Sequence, residues 1–295
     1  MKRQMGIGIK EVPSLGRLGG AVALVAALAG CIRCGAAQEV PAGDSSGPRQ
    51  GEERVLSLPG GAQMEMIYVA PGSFTMGSPT DEEGRCDNET PHRVTLTKGY
   101  WLGKYEVTQR QWRSVMGETP SYFKGDDRPV ENVSWDDCQK FIGKVSAAAR
   151  RQLGGEARLP TEAEWEYACR AGTAGPYGGT GHLNDMGWYY ANSGGGTHPI
   201  GGKRPNACGF HDMHGNVCEW CQDWYGEYPS GDATDPQGPA SGDGRVLRGG
   251  CWYVGARNCR SAFRRWDFPA YRSGGYGFRL CCSLSPLPKH QCQAP

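Results

Sequence analysis

Thirteen cysteines and six histidines in a chain of 295 residues are the first chemistry on offer. Cys208, His211, His214, Cys218 and Cys221 fall close enough in sequence to supply the sulfur and nitrogen ligands of a tetrahedral zinc site. Two carboxylates interleave with that set in the pattern Asp212-x-x-Gly215-x-Val217-x-Glu219, and zinc knuckles usually pair two cysteines on each side of a loop. The stretch therefore suits hard oxygen ligation better. His92, His182, His198 and His290 have no partner nearby in sequence and read as surface or packing residues. A second chemistry lies further on. Tyr253, Val254, Gly255, Phe263, Trp266, Asp267, Phe268, Tyr271, Ser273 and Tyr276 sit in a frame of arginines and small residues. Aromatic and small polar side chains on a rigid scaffold make the chemistry of a paratope, broad contact area with adaptable hydrogen bonding. Turn formers flank Trp266-Asp267-Phe268 and favour its exposure, whereas Trp252 and Phe278 read as core.

Positioning either set demands a scaffold, and the composition permits one. The chain is 38% hydrophobic and 21% charged, which excludes disorder along its length. Its 46 glycines and 20 prolines exclude a helix bundle and predict many turns. A net charge of +1 lacks the cationic excess that a phosphate backbone requires, so nucleic acid is not expected as a partner. The many cysteines predict disulfides and an oxidising compartment. Strands are expected at 64–69, 73–76, 92–97 and 100–105, from period-two alternation and bounding turn residues. Two helices are expected. Ser134 caps one over 134–148, with Trp135, Cys138, Phe141, Ile142 and Val145 at three- and four-residue spacings. Thr161 and Glu164 form a capping box for the other, over 161–171. The expectation is one α+β domain over 61–283, preceded by a tether at 31–60 and followed by a tail at 284–295.

The first thirty residues read as an export signal. Lys2, Arg3, Lys10 and Arg17 precede the apolar run from Ala21 to Ala29, too short to span a bilayer as a helix. Leu28-Ala29-Gly30-Cys31 resembles the bacterial lipobox, which implies a lipid on Cys31 and a membrane anchor at the cell envelope. A cut after Ala37 instead releases a secreted protein. Either way the expected location is extracytoplasmic.

Four segments in order resemble one family. They are Met64-x-x-Ile67-x-x-x-Pro71-Gly72-x-Phe74-x-Met76-Gly77; Tyr105-Glu106-Val107-Thr108 with Pro129-Val130-x-x-Val133-Ser134-Trp135; the long run from Arg158 to Arg170; and Gly215-Asn216-Val217-x-Glu219-Trp220 leading to Arg248-Gly249-Gly250 and Gly277-Phe278-Arg279. Together they resemble the formylglycine-generating enzyme, or sulfatase-modifying factor, domain, which implies a loop-rich relative of the C-type lectin fold. The family's enzymes oxidise a sulfatase cysteine with copper(I) held by a Cys-x4-Cys pair. That pair is missing. Counting from Gly250, the first copper position falls on Val254 and the second on Cys259, and only Cys251 and Cys259 stand between the flanking motifs. Cys251 replaces an expected serine, and Cys218 an expected tryptophan. The resemblance further implies a calcium site at Asp212, the Gly215 and Val217 carbonyls and Glu219. It implies disulfides Cys169–Cys259 and Cys138–Cys281, with Cys282 an equally available partner for Cys138. The stretch between Arg248 and Arg279 also resembles the variable segment of proteins diversified by retroelements, which present a changeable surface on this domain.

Two functions follow. One is an extracytoplasmic binding or display module for a protein or surface ligand; the other is an oxidase that uses Cys251 and Cys259 as an altered copper site. The missing pair favours the first.

Overall fold

The structure, a computed structural model, describes residues 47–284; the leader, Cys31, Ala37 and the tail beyond Leu284 lie outside the described residues, while Leu284 itself, expected to open the tail, ends the last strand. Along the chain come β1 (Glu53–Ser57), β2 (Gln63–Val69), β3 (Gly72–Met76), β4 (His92–Leu96) and β5 (Tyr100–Gly103). Helices α1 (Gln109–Met116) and α2 (Trp135–Leu153) follow, then β6 (Gly155–Arg158), α3 (Glu162–Arg170), the short α4 (Leu183–Met186), β7 (Gly187–Trp188) and β8 (His214–Gly215). The remainder holds β9 (Cys218–Trp224), β10 (Ala233–Thr234), β11 (Arg245–Arg248), a 3-10 turn at Ala256–Cys259, β12 (Arg264–Asp267), β13 (Tyr276–Gly277) and β14 (Cys281–Leu284). The expected α+β fold, with few helices and short strands, is what forms.

The five-stranded sheet, in the order β1-β2-β5-β14-β6, is antiparallel throughout and joins the start of the domain to its end. Successive side chains point to opposite faces, so the sheet divides two cores. Met64, Met66, Trp101 and Cys282 face Cys138, Phe141, Val145 and Ala149 of α2. Ile67, Val69, Leu102 and Cys281 face Ala163, Ala168 and Cys169 of α3 and Val94 of β4. A second sheet, β12-β11-β9-β13, carries the residues with chemistry.

The tether expected at 31–60 is corrected at its end. β1 lies inside that range and pairs with β2, Glu53 opposite Ile67 and Ser57 opposite Gln63. It escaped the sequence reading because it is an edge strand with only Leu56 buried, so it has no alternating apolar pattern. Both expected helices form with their capping boxes, Ser134 with Asp137 and Thr161 with Glu164. α2 runs on to Leu153 and stops at Gly154, which takes the left-handed conformation that ends many helices. α1 was not expected, although Thr108 and Gln111 form a capping box there too.

Candidate functional site

Buried ion pairs tie the second sheet to α3. Arg248 of β11 donates to Glu162 at 2.8 Å and reaches Glu166, while Arg264 of β12 grips both oxygens of Glu162 at 2.8 and 2.6 Å. Arg279 closes on Glu219 of β9, its Nε and Nη2 each donating at 2.7 Å to a different oxygen. The Trp165 indole adds a third bond to Glu219 at 2.7 Å. These buried charges are paired, with Arg248 Nε the one guanidinium nitrogen among them left without a partner, and the pairing fixes β9 and β11 against α3 in one register.

The residues expected for calcium sit beside this frame. Asp212 has a left-handed backbone and is buried; its Oδ2 accepts from the Gly201 amide at 2.7 Å and its Oδ1 has no partner. Burial pushes its carboxyl up to about 6, and the Glu219 charge adds to the effect. Gly215 passes close to the backbone of Trp188, where a Cβ would lie 2.1 Å from the carbonyl oxygen. Sequence reasoning missed Glu106, which lies fully buried here. Its oxygens accept from the Asn216 side chain at 2.7 Å and the Val217 amide at 3.1 Å, and burial, then Asp212 and Glu219, drive its carboxyl well upward. Three buried carboxyl groups therefore act on one another with Arg279 as their nearby cation. The unpartnered Asp212 oxygen is one hard ligand left open, whereas both Glu219 oxygens are already bonded.

The zinc-like set is dispersed. Cys208 lies near Gln50, His211 packs at a tilt against Tyr105, His214 packs between Cys169 and Cys259, and Cys218 faces Cys251. Among the described residues no group of three or more histidine, cysteine or acidic side chains is placed to hold a metal ion.

All ten described cysteines are free thiols, so neither expected disulfide is formed. Cys169 instead has His214 Nε2 at 3.7 Å and Ser261 Oγ at 3.7 Å, and the Cys259 carbonyl is bonded to the other ring nitrogen of His214 at 2.7 Å. Cys138 and Cys281 belong to different cores on opposite faces of the five-stranded sheet. The period of two in β14 brings Cys282, not Cys281, to the Cys138 side. Cys251 and Cys259 are both buried and influence one another, but the thiol that Cys251 meets most directly is Cys218.

The expected binding segment is largely at the surface. Tyr253, Trp266, Phe268 and Tyr271 are 37%, 41%, 57% and 51% exposed, Gly255 is exposed, and Val254, Phe263, Asp267 and Ser273 are half-buried. Tyr276 departs from the expectation. It is 1% exposed, packs edge-on against Trp220, and donates its hydroxyl to Asp267 at 2.9 Å. Its place in β13 beside the buried β9 explains the difference. The tertiary fold adds Tyr190, whose amide donates to the Val254 carbonyl at 3.0 Å and whose ring is 75% exposed. Beneath the segment Glu131 accepts from the Phe123 amide at 2.9 Å, while its second oxygen is buried without a partner and burial pushes the carboxyl up to about 7. Neither residue carries a sequence signal, because each joins the segment only through folding.

The sulfatase-modifying factor enzyme 1-like domain family matches residues 56–284. The chain belongs to this family. Among its relatives are the formylglycine-generating enzyme of Mus musculus, 29% identical over 89% of this chain and 88% of the relative. The chaperone protein LppX of Paenibacillus barcinonensis is 30% identical over 64% of this chain and 78% of its own. In three dimensions the chain resembles Treponema denticola variable protein 1, with 34% identity and a TM-score of 0.71 over 78% of this chain and 98% of that one. An enzyme, a chaperone and a variable protein on one fold mean that membership in the sulfatase-modifying factor family does not itself fix the activity.

Proposed function

We propose that the protein is an extracytoplasmic binding or display module on the formylglycine-generating-enzyme-type domain, without the copper oxidase activity. The observation that carries this reading is the loop after β11. Val254 occupies the first copper position, half-buried with its amide bonded to the Cys251 carbonyl at 3.1 Å, and an isopropyl group does not ligate copper(I). The same loop presents Tyr253, and the continuing chain presents Trp266, Phe268 and Tyr271. These rigid rings offer contact area at small cost in side-chain entropy. The partner is a protein or surface ligand. We place the protein at the cell envelope through a lipid on Cys31, or outside the cell if the cut follows Ala37. Calcium is its proposed metal, with Asp212 supplying the open oxygen beside the Gly215 and Val217 carbonyls; Glu219, whose oxygens are held by Arg279 and Trp165, joins the set only by giving up one of those bonds.

The test has two arms. A sulfatase-motif peptide incubated with copper-loaded protein should yield no aldehyde; copper-dependent aldehyde lost in Cys251→Ser would replace this reading with the oxidase. Any ligand found should lose binding to Trp266→Ser/Phe268→Ser while the melting temperature holds. Binding that survives the double substitution would remove the aromatic surface from the site.

A further inference from the structure

The thiols of Cys218 and Cys251 are brought together from distant parts of the sequence. Cys218 opens β9, and β9 pairs with β11 so that Glu219 lies opposite Arg248. Gly249 and Gly250 follow with φ of 90° and 74°, a left-handed turn that carries Cys251 back over β9. Trp252 then donates its amide to the Asn216 carbonyl at 3.0 Å, and Cys218 donates its own to the Gly275 carbonyl at 2.7 Å. Gly275 is required here, since a Cβ would stand 3.0 Å from the Cys251 sulfur and 2.4 Å from a ring carbon of Tyr253. The two side chains interact directly, and each is almost fully buried.

We propose that these two residues form a redox-active dithiol in which Cys251 reacts with a small hydroperoxide and Cys218 resolves the product to a disulfide. The thiols are not equivalent. Burial opposes ionisation of Cys251, but the Cys218 thiol, the Tyr253 amide and hydroxyl, and the Arg265 guanidinium outweigh it and hold Cys251 below the usual thiol range. The other nine described cysteines are all pushed upward. Cys251 is the attacking sulfur because it lies on the loop beside the partly exposed Tyr253, whereas Cys218 opens the buried strand β9; the lowered thiol then supplies the thiolate that attack requires. Its attack on hydrogen peroxide forms an S–O bond and breaks the O–O bond. The departing hydroxide takes a proton and leaves as water, with Cys251 as the sulfenic acid. The Cys218 sulfur then displaces the sulfenic oxygen, forming the S–S bond as a second water leaves with the Cys218 proton. Two thiols and one peroxide become one disulfide and two waters. Tyr253, partly exposed, roofs the pair, so oxidation locks the loop that carries the proposed binding aromatics.

The test uses the full chain, reduced, desalted and treated with hydrogen peroxide. Alkylation after denaturation and peptide mapping should find Cys218 joined to Cys251 before any other cysteine has reacted. Cys218→Ser should stop at a Cys251 sulfenic acid trapped by dimedone, and Cys251→Ser should form neither product. Tyr253→Phe, which keeps the ring and removes the hydroxyl, should slow disulfide formation about tenfold through the lost thiolate donor; it tests the proposal if the cysteine variants fail to fold. Oxidation that spares Cys218 and Cys251, a first disulfide between other cysteines, or an unchanged rate in Tyr253→Phe would overturn it.

Discussion

Asp223 of β9 accepts the Glu162 amide at 2.9 Å from a site that is 4% exposed. Burial, reinforced by the neighbouring Glu162 carboxylate, pushes its carboxyl up to about 8. The unfolded chain releases this proton near pH 4, so between about pH 4 and pH 8 the folded protein holds a proton that the unfolded one has lost. The stability this group contributes is therefore complete at low pH and falls as pH rises through that window. Asp223→Asn keeps an oxygen for the Glu162 amide and removes the titration. Denaturant unfolding should show the variant and the parent alike near pH 4 and the variant more stable at pH 8; equal pH dependence in the two would refute the assignment.

At the scale of the element, α3 serves as the pivot of the site. Its first turn sends Glu162 to Arg248 and Arg264, its middle sends the Trp165 indole to Glu219, and Glu166 meets Arg248 and Arg170. Thr161 starts it, its hydroxyl accepting from the Glu164 amide at 3.2 Å while Glu164 returns a bond to the Thr161 amide at 2.8 Å. Thr161→Ala should cost about 1 kcal/mol of unfolding free energy through the lost cap. Ser134→Ala, at the matching box on α2, provides the comparison. α2 covers the face of the five-stranded sheet opposite α3, so both substitutions should lower stability, while only Thr161→Ala should also weaken calcium binding near Glu219. A loss of calcium affinity from both would mean that global stability, not the α3 pivot, governs the site.

The whole molecule sets its acidic cluster between elements far apart in sequence. Glu106 follows β5, Asp212 precedes β8, and Glu219 and Arg279 lie on or beside the second sheet, so the cluster exists only when both sheets are assembled. A cation that binds there stabilises the folded state by mass action, since the unfolded chain has no such site. Calcium should therefore raise the melting temperature in proportion to the logarithm of its concentration above the dissociation constant. Asp212→Asn should reduce that rise while leaving the calcium-free melting temperature equal or higher, because it removes a buried carboxyl from an acidic group. Calorimetry across a calcium titration measures both, and a parent transition indifferent to calcium would eliminate the site.

The sequence alone determined the family, the α+β class and the two expected helices, because these rest on contiguous signals: the run from Arg158 to Arg170, the Ser134 cap, the Thr161 capping box, and helical spacing. It also put Val254 where the family resemblance expects a first copper cysteine, a matter of counting within one loop. Tertiary structure decided which sulfurs meet. Cys281 and Cys282 are neighbours in sequence, yet the pleat of β14 sends them into different cores, and Cys218 reaches Cys251 only because β9 and β11 pair and two left-handed glycines reverse the chain. Tyr276 looks in sequence like its aromatic neighbours but becomes core through its pairing beside β9. Glu106 and Tyr190 gained their roles the same way. Local patterns encode local structure, whereas a site built from several strands depends on register and facing, which no short window of sequence contains.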